Sequence, residues 1–166
     1  MSWPPVILVA EDNDDEFVLL RCAFELAELP HKLIGVVDGR EALNYLHAEE
    51  GYTNRARFPF PDLMLLDLYM PVMDGLEVLA AVSNRFEFLS LPIVVLSADD
   101  DPLTPLTARR LGAKEYIVKP LTMSERVEMV RGLHARWLAG RKPPLERAWS
   151  NVWGVRLEEE PRGEQD

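Results

Sequence analysis

The sequence is poor in the residues that staple, anchor or export a chain. One cysteine, Cys22, among 166 residues excludes an internal disulfide and fits a reducing compartment. Its expected place is a helix, as a small buried hydrophobe. No apolar run approaches the length of a membrane span. The opening Met-Ser-Trp-Pro-Pro lacks a basic stretch ahead of an apolar one. The expectation is a cytoplasmic chain with neither signal peptide nor membrane anchor. Basic residues are outnumbered, 18 against 28 acidic ones, for a net charge of −10. This argues against a broad basic surface for nucleic acid and suits a basic partner or a bound cation. Internal repeats and low-complexity tracts are absent as well.

What is present suffices for one globular core with a short appendage, since 48% of residues are hydrophobic. Val6 to Ala10 is a short β-branched apolar run and predicts a buried strand that ends on Glu11-Asp12. Asn13 with Glu16 three residues on predicts a capping box. The helix it opens runs to about Glu28, with Leu19, Cys22, Ala23 and Leu26 inward. Leu33 to Val37 predicts a second strand, and Asp38 with Glu41 opens a helix that buries Ala42, Leu43 and Leu46. Residues 49–61 hold Gly51, Pro59 and Pro61 and read as a long surface loop or a helix extension.

Leu63 to Leu66 is a third apolar run, and it stops abruptly on Asp67. A helix follows from about Gly75 to Asn84, with Leu76, Leu79, Ala80 and Ser83 inward. Pro92 to Ser97 predicts a fourth strand, Asp99-Asp100-Asp101-Pro102 a loop, and Thr104-Pro105 an N-cap and first-turn proline for a short helix ended by Gly112. Glu115 to Val118 predicts a fifth strand, closing on Lys119-Pro120. A last helix, about Ser124 to Ala139, carries Val127, Val130, His134 and Trp137 at helical spacing. Five alternations of strand and helix imply right-handed crossovers and a parallel sheet covered on both faces.

Such a sheet collects chemistry at the carboxyl ends of its strands. Four ends here carry functional groups: Glu11 with Asp12, Asp67, Ser97 and Lys119. Clustered carboxylates raise one another's pKa unless a cation sits among them, and a hard divalent ion such as Mg²⁺ takes oxygen ligands of this kind. Asp12 and Asp67 are candidate direct ligands, Glu11 a ligand through water, and the carbonyl of Tyr69, just past Asp67, completes the protein's share. Lys119 and the Ser97 hydroxyl are then donors for a phosphoryl group on a carboxylate nucleophile.

These residues resemble the receiver domain of two-component response regulators, the CheY-like, flavodoxin-like α/β fold. The resemblance rests on Glu11-Asp12, on Asp67 followed by Met70-Pro71 and Met73-Asp74-Gly75, on Ser97-Ala98, on Tyr116 and on Lys119-Pro120. It covers about Val6 to Ala139. It implies that a histidine kinase passes a phosphoryl group to Asp67 with Mg²⁺ present. It also implies that Ser97 and Tyr116 form the switch, and that the Lys119-Pro120 bond is cis. Glu11 stands where an Asp is commoner. Tyr69 is bulky where water approaches Asp67, so a long-lived phosphoryl group is expected. The long loop before Asp67 and the tail look most like single-domain regulators that pair with bacterial phytochromes.

A receiver domain over 1–140 is therefore expected, followed by a tail over 141–166. In the tail, Leu145, Trp149, Val152 and Trp153 share a helical face and suggest a contact surface, with a homodimer arm preferred over packing on its own domain. The tail is too short for a DNA-binding domain, so output passes through protein contact. Two other readings stand beside the phosphoacceptor switch. One is a receiver-like scaffold that works without phosphorylation, though such proteins usually lose the acids or the lysine. The other is an aspartyl-phosphate hydrolase, which wants a second acid where Tyr69 stands.

Overall fold

Strand residues alternate between two apolar layers, which is why the strand sequences are continuous hydrophobic runs rather than alternating ones. The computed structural model describes residues 4–141. Its strands are β1 (Val6–Ala10), β2 (Lys32–Val36), β3 (Leu63–Leu66), β4 (Ile93–Ser97) and β5 (Glu115–Val118). All pair in parallel, in the order β2-β1-β3-β4-β5. Helices α1 (Asp14–Leu26), α2 (Gly39–His47), α3 (Gly75–Val82), α4 (Thr104–Arg110) and α5 (Met123–Leu133) alternate with them. Ile7, Val9, Leu63 and Leu65 pack with Leu20, Phe24, Val130 and Leu133 under α1 and α5. Leu8, Met64, Leu66 and Val95 pack with Leu46, Val78, Leu79 and Ala108 under α2, α3 and α4. The expected flavodoxin-like sheet with helices on both faces is thus present. Trp149, Trp153 and the rest of the tail lie outside the described residues.

Several local expectations are corrected. In α1 the buried stripe is Leu20, Ala23 and Phe24, continued by Ala27, while Leu19 and Leu26 are exposed. Two apolar stripes overlap in this sequence, and the one that fully buries the Phe24 ring wins. Asn13 caps α1 by accepting from the amides of Asp15 and Glu16, but Glu16 does not close a capping box. Its carboxylate takes a bidentate bond from Arg126 instead, at 3.0 and 3.2 Å. In α3, Val78 and Val82 are buried in place of Ala80 and Ser83. Thr104 stands inside the first turn of α4 rather than at its cap, which is Leu103 without a side-chain bond. Thr122 caps α5 with a full capping box to Glu125; Val130 is buried and Val127 packs partly buried against the core as expected, while Arg126 and Leu133 are buried and His134 is only half-buried. The helix then widens into a π turn, His134–Leu138, which brings Trp137 Nε1 to donate to Glu115 at 2.9 Å.

Residues 49–61 form the expected surface loop rather than a helix extension, and the loop is packed down onto its neighbours. Tyr52, Phe58 and Phe60 pack against the core beside Tyr45, whose hydroxyl donates to the Pro59 carbonyl at 2.7 Å. Arg55 donates to the carbonyls of Leu46 and Phe58 and lies over the Tyr45 and Phe60 rings. Aromatic packing and these backbone bonds give the segment a fixed seat against α2.

Candidate functional site

The sheet ladder itself sets the site. The Asp67 amide donates to the Ala10 carbonyl at 3.0 Å and the Glu11 amide to the Val36 carbonyl at 3.0 Å, so each acid leaves the sheet one residue past its strand. The Lys119 amide donates to the Ser97 carbonyl at 2.9 Å. Strand order reverses between β1 and β3, and the crevice at that reversal holds Glu11, Asp12 and Asp67. One carboxylate oxygen from each of the three lies within 4.8 Å of the others. Lys119 Nζ reaches into the same crevice from β5, donating to Glu11 Oε2 at 2.6 Å and to Asp67 Oδ2 at 3.1 Å. The remaining Asp67 oxygen accepts from the Leu68 amide at 2.7 Å, and the remaining Glu11 oxygen accepts from the Asn13 amide.

Charge in this crevice is unbalanced. Glu11 and Asp67 are buried, Asp12 is exposed, and among the described residues the one cation touching the acids is Lys119. Burial pushes the Glu11 carboxyl above its ordinary value; Lys119 pulls it down, and the Asp67 charge pushes it up further. For Lys119 burial acts downward, but the Glu11 hydrogen bond and the two carboxylate charges outweigh it, and the ammonium is held above its ordinary value. Three carboxylates against one ammonium leave about two negative charges, and hard oxygen donors at this spacing suit a divalent cation. The residues fit such an ion.

The loop after Asp67 folds back tightly. The Gly75 amide donates to the Leu68 carbonyl at 2.9 Å, and a Cβ on Gly75 would strike the Asp67 carbonyl oxygen. Gly39 gives the same close approach at the start of α2, where its amide donates to the Met73 carbonyl. Between them Val72 takes φ +68°, a left-handed conformation that strains a β-branched residue. Tyr69 is exposed and its hydroxyl donates to Asp99 Oδ2 at 2.7 Å. Ser97 is fully buried and its hydroxyl accepts from the Asp99 amide at 3.2 Å. Tyr116 is half-buried and donates to the Asp99 carbonyl at 2.8 Å. The Lys119-Pro120 bond is not cis, for the described residues contain no cis peptide, and Lys119 meets both acids across a trans bond.

This arrangement on this sheet has close counterparts. Residues 7–131 match the response regulator receiver domain. The chain belongs to that family. Response regulator Rcp1 of Synechocystis is 31% identical over 135 residues, 81% of this chain and 90% of its own. The crystal structure of the phosphorylated cyanobacterial phytochrome response regulator RcpA superposes with a TM-score of 0.75 at 33% identity, covering 85% of this chain and 99% of that one. Response regulator RPA3017, from red light signalling of R. palustris, gives a TM-score of 0.78 at 30% identity over 83% and 96% of the two chains. A Mn²⁺-bound form of Rcp1 superposes with a TM-score of 0.73 at 30% identity, covering 85% of this chain and 99% of that one. This chain is thus a receiver-domain response regulator, a phosphoacceptor signalling module of the CheY-like type.

Within the receiver, Glu11, Asp12, Asp67 and Lys119 come together as the strand-end pattern predicts. Ser97 ends β4 and Tyr116 lies within the neighbouring β5, and both are tied to Asp99, a residue that sequence reasoning left in a loop. No helix among the described residues is long and apolar enough to cross a membrane. The Glu16–Arg126 pair was also missed, although an Arg directly after the Thr122-x-x-Glu125 capping box, on the helix face that meets α1, is an odd residue to find buried. A small cavity joins the two charge clusters, lined among others by Glu11, Asp67, Lys119, Glu16 and Arg126.

Proposed function

We propose that Asp67 is the phosphoacceptor, that the donor is a phosphohistidine of a phytochrome-type histidine kinase, and that the ion is Mg²⁺. The observation that carries this is the ammonium of Lys119 bonded to both Asp67 and Glu11 at the strand-order reversal. A buried carboxylate so placed has its own charge partly compensated and an open approach from the loops. The similar phytochrome response regulator RcpA and the red light regulator RPA3017 support the class of kinase.

The chain's own groups account for the transfer. An Asp67 carboxylate oxygen attacks phosphorus in line, the phosphorus–oxygen bond forms, and the phosphorus–nitrogen bond of the donor imidazole breaks. Lys119 shares its hydrogen bonds with the incoming phosphoryl oxygens, and the Ser97 hydroxyl donates once it leaves Asp99. Glu11, Asp12, Asp67 and the Tyr69 carbonyl would hold Mg²⁺, which when bound neutralises charge on the phosphoryl oxygens. Tyr116 then turns inward, and the new dianion biases the packing of the β4–α4 loop. The protein so read is a switch with slow intrinsic phosphorylation and dephosphorylation, the second slowed by the Tyr69 ring.

Intact mass after incubation with Mg²⁺ and acetyl phosphate tests this. One added phosphoryl group is expected on the wild type and none on Asp67→Asn. On Tyr69→Ala the adduct decays several-fold faster. Equal labelling of wild type and Asp67→Asn would remove Asp67 from its role, and a folded wild type that never gains mass would favour a scaffold.

A further inference from the structure

Parallel strands put all their starts on one edge of the sheet, opposite the acid crevice, and that edge carries a surface that neither crevice nor core uses. Each segment leading into a strand lies there: the short 3-10 turn Phe86–Phe88 with Leu89 before β4, residues 49–61 before β3, and Lys32 at the head of β2. Phe86 is 84% exposed and Leu89 59%. Between them Phe88 turns inward and stacks on Phe60 at 6.2 Å, so the two apolar side chains adjoin the 49–61 segment. There Arg55 lies over the Phe60 ring, Arg57 lies over Phe58, and the Lys32 ammonium donates to the Arg57 carbonyl at 3.3 Å. Arg55 also serves two carbonyls, yet none of these three cations pairs with an acid among the described residues. In a chain of net charge −10 that cluster is the exception.

The described chain also leaves from this edge. The turn that ends α5 sets Trp137 against Glu115, the first residue of β5, and Arg141 follows shortly after. Residues 142–166 therefore start beside β5. Across the edge from there come first Phe86 and Leu89 at β4, then the cations at β3 and β2. The tail sequence has the same order: Leu145, Trp149, Val152 and Trp153 at helical spacing, then Glu158-Glu159-Glu160. From β5 to β2 is about 19 Å at ordinary strand spacing. The stretch 141–158 covers about 25 Å even at the short rise of a helix, so the acids reach.

We propose that the chain's own tail docks in cis on the strand-start edge, its tryptophans on Phe86 and Leu89 and its acids on Lys32, Arg55 and Arg57. Each indole has about 150–250 Å² to bury, so the apolar contact carries the affinity. The exposed charges contribute less and set direction and register. Docked there, the tail covers an exposed apolar patch and leaves Glu11, Asp12 and Asp67 open at the opposite edge.

The test uses the full chain labelled with 5-fluorotryptophan, its signals assigned by loss in Trp137→Phe, Trp149→Phe and Trp153→Phe. Broadening by a soluble gadolinium chelate reads the exposure of each indole. In the wild type the Trp149 and Trp153 signals are expected to resist broadening at every protein concentration. Phe86→Ser combined with Leu89→Ser exposes both severalfold, while an unmoved Trp137 signal reports an intact receiver. Lys32→Glu combined with Arg57→Glu exposes them less, and adding Glu158→Lys, Glu159→Lys and Glu160→Lys restores protection. Fully broadened Trp149 and Trp153 signals in the wild type would overturn the proposal. Protection that survives Phe86→Ser with Leu89→Ser puts the tail on another surface and overturns it too. Protection lost on dilution, with a dimer mass in sedimentation at high concentration, gives the seat to a second copy and refutes docking in cis.

Discussion

Two partly buried charge clusters lie beside one small cavity in this receiver, and they are built in opposite ways. Glu16 and Arg126 form a closed pair: one anion, one cation, two parallel hydrogen bonds between α1 and α5. Glu11, Asp12, Asp67 and Lys119 form an open one, with one cation shared among acids whose ligand oxygens crowd within 4.8 Å. The first cluster is complete as it stands and serves the fold. The second carries charge that the described residues leave uncompensated, beside a loop strained at Val72, and so suits a divalent cation.

The largest effect expected from breaking this contrast is on the closed pair. Arg126→Met leaves Glu16 as a partly buried, unpaired carboxylate and should cost roughly 2–3 kcal/mol, below the full penalty of a wholly buried pair because Glu16 keeps some exposure. Thermal unfolding should drop by roughly 10 °C. An unchanged midpoint would show that the pair contributes no stability. Next comes the ion. At ten times its Kd, Mg²⁺ should stabilise the wild type by about 1.4 kcal/mol, and Asp12→Asn should abolish most of it.

That stabilisation depends on pH through Glu11. Its folded-state pKa is raised above the usual 4.5 by burial, so the ion-free fold loses stability as pH rises through the folded value. Mg²⁺ needs the ionised carboxylate, so its stabilising effect should grow over the same window and fade toward acid pH. A thermal shift that does not vary with pH from neutral down to that window would remove Glu11 from the ion's ligands. The smallest effect is on the open cluster without ion. Asp67→Asn removes one of the crowded negative charges while Lys119 keeps Glu11, so stability should stay within about 0.5 kcal/mol or rise. A loss as large as that of Arg126→Met would erase the distinction between the clusters.

Legibility in the sequence follows the range of the interaction. Val6 to Ala10 and Leu63 to Leu66 announce buried strands because a strand covered on both faces has no polar side, and the acids that end them follow directly. Helix faces were harder: α1 offers two stripes one residue apart, and only the seat of Phe24 between sheet and α5 selects one. Thr104 looked like a cap because its local sequence suits one, yet its hydroxyl serves Asp99 in the preceding loop. Asp99 itself sits among acids that read as ordinary loop. The family match reached the crevice residues through their order along the chain, and could not reach partners that the family pattern does not contain.

The amino-acid sequence by itself determined the parallel sheet, the edge on which Glu11, Asp12, Asp67, Ser97 and Lys119 gather, and hence the receiver chemistry. Those follow from hydrophobic runs and from the residues at their ends, which are local properties. Tertiary structure alone decided that Glu16 would meet Arg126, 110 residues away, and that Tyr69 would meet Asp99, 30 residues away. Such pairings depend on how far a side chain reaches between elements already packed, and no spacing along the chain encodes that reach.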